Sequence, residues 1–542
     1  MIARLATTLA AALVSLGAAP PQPPMTPAEQ IAANSVRSHV EFLADDRLEG
    51  RDTGSRGHEI AAQYVASRFR EMGLEPGGSA GSWFQQVPLR RATTVQSSPV
   101  ITLTLNGQRQ TLAWARDVAL RPSLTERHRA IDAPLVFVGY GLDEPPLGLD
   151  DYRGLDTKGA IVVSLAGTPR ALPSEVAAHL SSAKTETAAA HGAIGLIEVG
   201  GEGRRESNVA TEASRATTNW VATDGSDASK LRASLSLSKA WQAKLFDGSP
   251  KSLASLRSEA ATTSPRGFPL GGRLSLVADT IWTDFTSPEV IARLPGADPR
   301  RATENVVLMA HLDHLGIKSD AKPGEDRIYN GALDNAAGVA TMLEAAREFV
   351  ASGHRPARSI LFIANTGEEK GLLGASYFAE HPTVPLSSIV SVVDLDMPLP
   401  LYDFTDVIAF GADHSTVART VAQAGSAMGI RVAPDPMPQE TIFVRSDHYR
   451  FVQKGVPAIL LMTGYANGGE AVWKHFLAHV YHSPADDLSQ PIQWRALARY
   501  GMLNYGIARA LADAPDRPRW VAHDYFGDRF APNQPRATPL AP

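Results

Sequence analysis

The chain contains no cysteine. That absence excludes disulfides, thiolate zinc sites, cysteine nucleophiles and a lipidated N-terminal cysteine. Any metal must therefore be held by His, Asp and Glu. There is little excess of charge: Lys+Arg 52 against Asp+Glu 57 leaves -5, which supplies no electrostatic reason for nucleic acid or an acidic membrane as partner. Beyond the N-terminus no apolar run approaches the roughly 20 residues of a membrane span. What is present is ordinary for folded protein, 44% hydrophobic and 20% charged residues, so a core forms and disorder is not the default. At roughly 150 residues per domain, 542 residues leave room for three or four domains.

The opening residues, MIARLATTLAAALVSLGAAPPQPP, place Arg4 before an apolar stretch from Leu5 to Leu16 and a small-residue site at Gly17-Ala18-Ala19. This reads as a signal peptide over 1–19, which predicts a periplasmic or secreted protein with no stable membrane insertion after cleavage. Residues 516–542 are rich in Pro and Arg and predict a poorly ordered tail.

Between the ends, the pattern changes twice. Residues 25–130 predict two amphipathic helices over 27–74, separated by the polar loop LEGRDTGSRGH, and then a strand at 99–106. Residues 131–267 carry three short Gly-bounded, β-branched runs and predict a β-rich insertion. Residues 268–515 alternate apolar strands (NVVLMA, ARSILFIAN, SIVSVVDLD, DVIAF, VPAILLM) with helical segments at 335–351, 371–381, 414–428 and 491–513. That alternation predicts an α/β/α sandwich around a mixed, mostly parallel sheet.

Chemistry-bearing residues cluster where strands end. NVVLMA runs into His311, Asp313 and His314; SILFIAN is followed by Glu368 and Glu369; IVSVVDLD ends at Asp396. Open α/β sheets build their sites at the carboxyl ends of strands, so these clusters can converge. Asp334 stands in a turn before a helix, and Tyr481 and His482 lie far downstream. Imidazoles with several carboxylates suit borderline divalent ions, zinc above all, and one carboxylate can bridge two such ions. Adjacent glutamates let one ligate while the other remains free as a base. The inventory is that of a metal-assisted hydrolase.

The set resembles the M28 family of zinc peptidases, which includes bacterial aminopeptidases. The resemblance is carried by AHLDHLG (310–316), YNGALDNAAG (329–338), ANTGEEKGLLGASYF (364–378), VVDLDM (392–397), SDHYRF (446–451) and YHSPADDL (481–488), with LEGRDTGSRG (48–57) as a family-like opening. The insertion, with VFVGYGL and YRGLDTKGAIVVSLAG, is similar to a protease-associated domain. The resemblance implies two Zn2+ ions, or another divalent metal in their place. His311 and Asp396 would hold one, Glu369 and His482 the other, with Asp334 bridging. Glu368 would be the general base, Asp313 would orient His311 and fix its tautomer, and Tyr481 would donate a hydrogen bond to the oxyanion. The bond from Asp334 to Asn335 would be cis.

The implied substrate is a peptide with a free N-terminus; oligomeric state is left open. Four rivals stand beside an exported aminopeptidase. These are a glutaminyl-cyclase-like acyltransferase, a carboxypeptidase, a receptor-like binding protein that has lost catalysis, and a phosphatase-type two-metal hydrolase. His314, Asp447, His448, Asp486 and Asp487 read as structural neighbours of the site, and loops 317–329 and 463–480 as candidate specificity loops. Two motifs are decoys: GGSAG (77–81) follows a helix and a proline turn, not a strand, and HEIAA (58–62) lacks the second histidine of a zinc helix.

Overall fold

Side chains alternate across a strand, so a strand that is apolar at every position can be buried only between two layers. The computed structural model describes residues 24–200, 208–221 and 231–538, and in it the central strands behave in this way. Along Asn305–His311 and Ser359–Asn365 every residue is buried. Val306, Leu308, Ala310, Ile360, Phe362 and Ala364 pack into one core, and Val307, Met309, Leu361 and Ile363 into the other. The first core is closed by helices Pro27–Leu43, Arg56–Glu71, Ala337–Ala351 and Trp494–Asp513. The second is closed by Leu373–Glu380, His448–Val452 and Gly469–His479. This is the expected α/β/α sandwich.

Four strands at the centre are parallel, in the order Ser359–Asn365, Asn305–His311, Ile389–Asp394 and Ala458–Thr463. Antiparallel strands flank them: Phe268–Leu294 on one side, Asp406–Phe410 on the other. The register sets His311 beside Asn365 and Met309 beside Asp394, so three strands release their chains at one edge of the sheet.

Strand Phe268–Leu294 belongs to two sheets. Its second part pairs with Phe84–Thr94 and Ser359–Asn365 in the central sheet. Its first part pairs with His128–Phe137 and Val100–Leu105 in a second sheet. That sheet continues through Ile161–Leu165, Gly195–Val199 and Ala233–Leu237. It therefore draws in residues on both sides of the 131–267 segment.

Two expectations are corrected. The segment 463–480 is not a loop: helix Gly469–His479 occupies most of it, with Trp473 and Phe476 fully buried. Nor are residues 516–538 poorly ordered. Trp520 is buried and donates to the Gly455 carbonyl at 3.0 Å, and a helix spans Tyr525–Phe530. The Pro and Arg content of this tail conceals aromatic side chains, and Trp520 and Phe526 join the core. The proposed signal peptide at 1–19 lies outside the described residues.

Candidate metal centre

The edge where the parallel strands end gathers the predicted ligands. His311 closes its strand and is 1% exposed. Its Nε2 lies 3.2 Å from Asp334 Oδ1 and 3.3 Å from Asp396 Oδ1. On the other side of Asp334, His482 Nε2 lies 3.3 Å from Asp334 Oδ2 and 3.2 Å from Glu369 Oε2. The two oxygens of Asp334 thus face different imidazoles, each accompanied by a different carboxylate. For metal–ligand bonds of about 2.0–2.1 Å, tetrahedral geometry separates neighbouring ligand atoms by about 3.3 Å. The donor set therefore fits zinc in type and in spacing. His311, Asp334 and Asp396 form one compact group of donors, and His314, Asp334 and Glu369 form another.

Local structure holds Asp334 in place from several directions. Its peptide bond to Asn335 is cis, as expected. Asn335 donates to the Leu395 carbonyl at 3.0 Å and accepts from the amides of Gly338 and Met397, which ties this turn to the Asp396 segment. Gly338 is required there, because a Cβ would come 2.0 Å from Asn335 Oδ1 and 2.1 Å from the Leu395 carbonyl. Asp486, fully buried, accepts from the amides of Leu333 (2.9 Å) and Asp334 (3.0 Å). The segment carrying His482 is thereby pinned to the turn carrying Asp334. His482 itself has φ +54, in the left-handed region.

The electrostatics follow from acid groups crowded out of water. Burial opposes charge on His482, but its bonds to Asp334 and Glu369 outweigh that and raise its pKa to about 10. Burial and Asp334 would raise Glu369, yet His314 and His482 bring it down to about 2. Burial pushes Glu368 well above the usual glutamate range, with His311 pulling against it and Glu369 adding to it. A bound cation would reverse this logic for the histidines.

Three residues beside the ligands take partners that the sequence did not specify. Asp313 reaches His311 through its main-chain carbonyl, which lies 3.0 Å from Nδ1. Its carboxylate instead accepts from the Glu368 amide at 3.2 Å and the Thr53 hydroxyl at 2.7 Å. His314, read as a neighbour, has Nδ1 2.6 Å from Glu369 Oε1, leaving the other oxygen to His482. Tyr481 stacks on the His482 ring at 3.7 Å between centroids. Burial, with the charges of Asp334, Glu368 and Glu369, holds its phenol well above the usual tyrosine range.

Ser446, which sequence reasoning passed over inside SDHYRF, has its Oγ 2.8 Å from a carboxylate oxygen of both Asp394 and Asp396, with one hydroxyl proton to share between them. Asp447 accepts from Asn365, and the His448 amide donates to Asp394 at 3.1 Å. Both residues brace the site from below. Arg51 was also missed. Its neighbours in LEGRDTGSRG read as a polar loop, and nothing in the sequence shows that its guanidinium turns inward.

The sequence of residues 289–508 matches the model of peptidase family M28. These residues form an M28 peptidase domain. All the predicted ligands fall inside the matched span. A probable zinc metalloprotease of Pyrenophora tritici-repentis is 27% identical over 295 residues, 46% of this chain and 56% of that protein. Leupeptin-inactivating enzyme 1 of Streptomyces exfoliatus is 31% identical over 272 residues, 47% of this chain and 56% of that protein. The chain thus spans little more than half the length of these curated relatives. In fold it is similar to an aminopeptidase from Aneurinibacillus sp. strain AM-1, with a TM-score of 0.51 and 21% identity over 90% of this chain and 95% of that one.

Proposed function

We propose that this M28 domain is a two-zinc aminopeptidase that removes N-terminal residues from peptides, and that the protein is exported. The observation that carries this reading is the division of Asp334, one oxygen toward His311 and Asp396, the other toward His482 and Glu369. One ion would be held by His311 and Asp396, the second by Glu369 and His482, with Asp334 shared. Zinc held there would supply Lewis acidity toward the peptide carbonyl and toward water.

The remaining work falls to side chains. Glu368 takes the proton of the attacking water and returns it to the leaving amine. Asp313 holds the Glu368 backbone through the amide bond and fixes His311 through its own carbonyl. Tyr481, stacked on His482, donates to the oxygen that gains charge as the carbonyl is attacked. His314 orients Glu369. The second sheet acts as a protease-associated domain inserted between an N-terminal part and the catalytic part of the peptidase. Among the described residues no helix is long and apolar enough to cross a membrane, which fits export of a cleaved precursor.

The test combines metal analysis with a substrate panel on one sample: free-amine dipeptides, their N-blocked forms, C-terminally blocked forms and N-terminal Gln peptides. The expected result is about two zinc ions per chain and cleavage of free-amine substrates alone. Cyclisation of N-terminal Gln, or cleavage that ignores the amine, would replace the reading with an acyltransferase or another peptidase. A fully loaded protein without turnover would leave a binding protein.

A further inference from the structure

Arg51 lies more than two hundred residues from the M28 domain in sequence, yet it is 1% exposed at the back of the metal centre. Among the described residues, its guanidinium meets no carboxylate directly. It donates to four main-chain carbonyls: Leu43, Leu312 at 2.9 Å, Asn330 at 2.7 Å and Gly331 at 3.1 Å. Leu312 sits between His311 and Asp313. Asn330 and Gly331 open the turn that ends at Asp334. The two segments joined by this one planar group are those whose side chains must approach to 3.2 Å, His311 Nε2 to Asp334 Oδ1.

The surrounding loop is built to deliver that group. Glu49, Gly50 and Arg51 all have positive φ, at 49°, 68° and 49°, and non-glycine residues stay in that region only when their surroundings hold them there. A Cβ on Gly50 would lie 2.5 Å from the carbonyls of both Gly316 and Tyr329, so the chain passes tightly between the two segments. The Arg51 carbonyl accepts from the His314 amide at 3.2 Å, and Thr53 donates to Asp313 at 2.7 Å. On the opposite side of the Asp334 turn, Asp486 takes the amides of Leu333 and Asp334. A cation holds the carbonyls of the turn and an anion holds its amides. Burial brings the Arg51 guanidinium down to about 10, with Asp486, Asp313, Asp334 and Glu369 pulling it back up, so it remains a cation at neutral pH.

We propose that Arg51 is a positioning residue of the metal centre, setting the distance between the His311 and Asp334 segments so that both offer their donors to one zinc ion. A planar guanidinium presents five N–H donors in a fixed fork, so it sets the spacing of carbonyls on two segments more rigidly than a compact ammonium does. The proposal deepens the zinc reading of the same site and rests on it. A purely structural Arg51 would contribute stability and nothing to affinity or turnover.

The experiment uses the full chain carrying Arg51→Gln, and separately Arg51→Lys. Zinc affinity is measured by competition with a chromophoric chelator, alongside kcat and KM on a free-amine dipeptide and the melting temperature. In Arg51→Gln the expected zinc dissociation constant rises by about 10–100-fold, and kcat falls while KM changes little; Arg51→Lys recovers part of both. A folded Arg51→Gln protein with lowered melting temperature but wild-type zinc affinity and kcat overturns the proposal. Should Arg51→Gln not fold, Arg51→Lys decides: weakened zinc affinity supports the role, and wild-type affinity overturns it. If the wild type binds zinc but cleaves no peptide, the aminopeptidase reading fails while the affinity comparison still judges Arg51.

Discussion

Asp334 commits each of its two oxygens to a different histidine, and Glu368 sits beside that arrangement without joining it. A carboxylate that donates no electron pair to a metal remains able to carry a proton. Replacing it with an amide of the same shape removes the proton and leaves the ligand set intact. Glu368→Gln is therefore expected to keep its zinc content and lose about 10²–10⁴ in kcat. Metal analysis and steady-state kinetics on one preparation check this; a rate within a few-fold of wild type would end the general-base assignment. The identities of these residues were legible in the sequence because each stands at a strand end or a turn beside others of its kind. The partner of each was not. The bond of Asp313 to the Glu368 amide, of His314 to Glu369 and of Ser446 to Asp396 depends on side-chain direction, which periodicity does not encode.

At the scale of elements, the site depends on turns meeting helices at contact distance. Helix Ala337–Ala351 begins against the Asp396 segment because Gly338 lets Asn335 and the Leu395 carbonyl approach. Gly338→Ala is expected to cost about 1–3 kcal/mol through overpacking and to loosen zinc binding, since the displaced atoms support Asp334. Thermal unfolding and chelator competition measure the two effects; a wild-type midpoint would mean that the turn moves aside at no cost. The central strands and their flanking helices were readable because each is a continuous apolar run bounded by breakers. Helix Gly469–His479 was not, since Gly468 and Gly469 at its start look like loop punctuation. The helix is stabilised by burying Trp473 and Phe476, a tertiary effect.

Across the whole molecule, three distant segments meet at His414. Its Nδ1 lies 2.5 Å from Asp524 in the C-terminal segment, and its Nε2 lies 2.9 Å from Glu175 in helix Ser174–Ser182, next to the second sheet. The rings of Phe443 and Phe526 cover it. Burial alone would lower its pKa, but the two carboxylates raise it to about 9. An imidazole raised above its unfolded value of about 6.5 stabilises the fold fully below that pH, and the contribution is lost as pH rises through about 9. The melting temperature of the wild type should accordingly fall relative to His414→Gln between about pH 6.5 and 9.5. Parallel profiles would remove this contact as a link between the second sheet and the peptidase domain.

By itself, the order of residues along the chain determined the α/β class, the alternation of strand and helix, and which acids and histidines stand at the strand ends. Those properties reside in short stretches: apolar periodicity, turn residues, and acids or histidines at strand ends. Only the tertiary structure decided that 516–538 packs against the core, that one long strand joins two sheets, and that Arg51 reaches the site. Each of these rests on contacts between residues far apart in sequence, where burial and hydrogen bonding outweigh local preference.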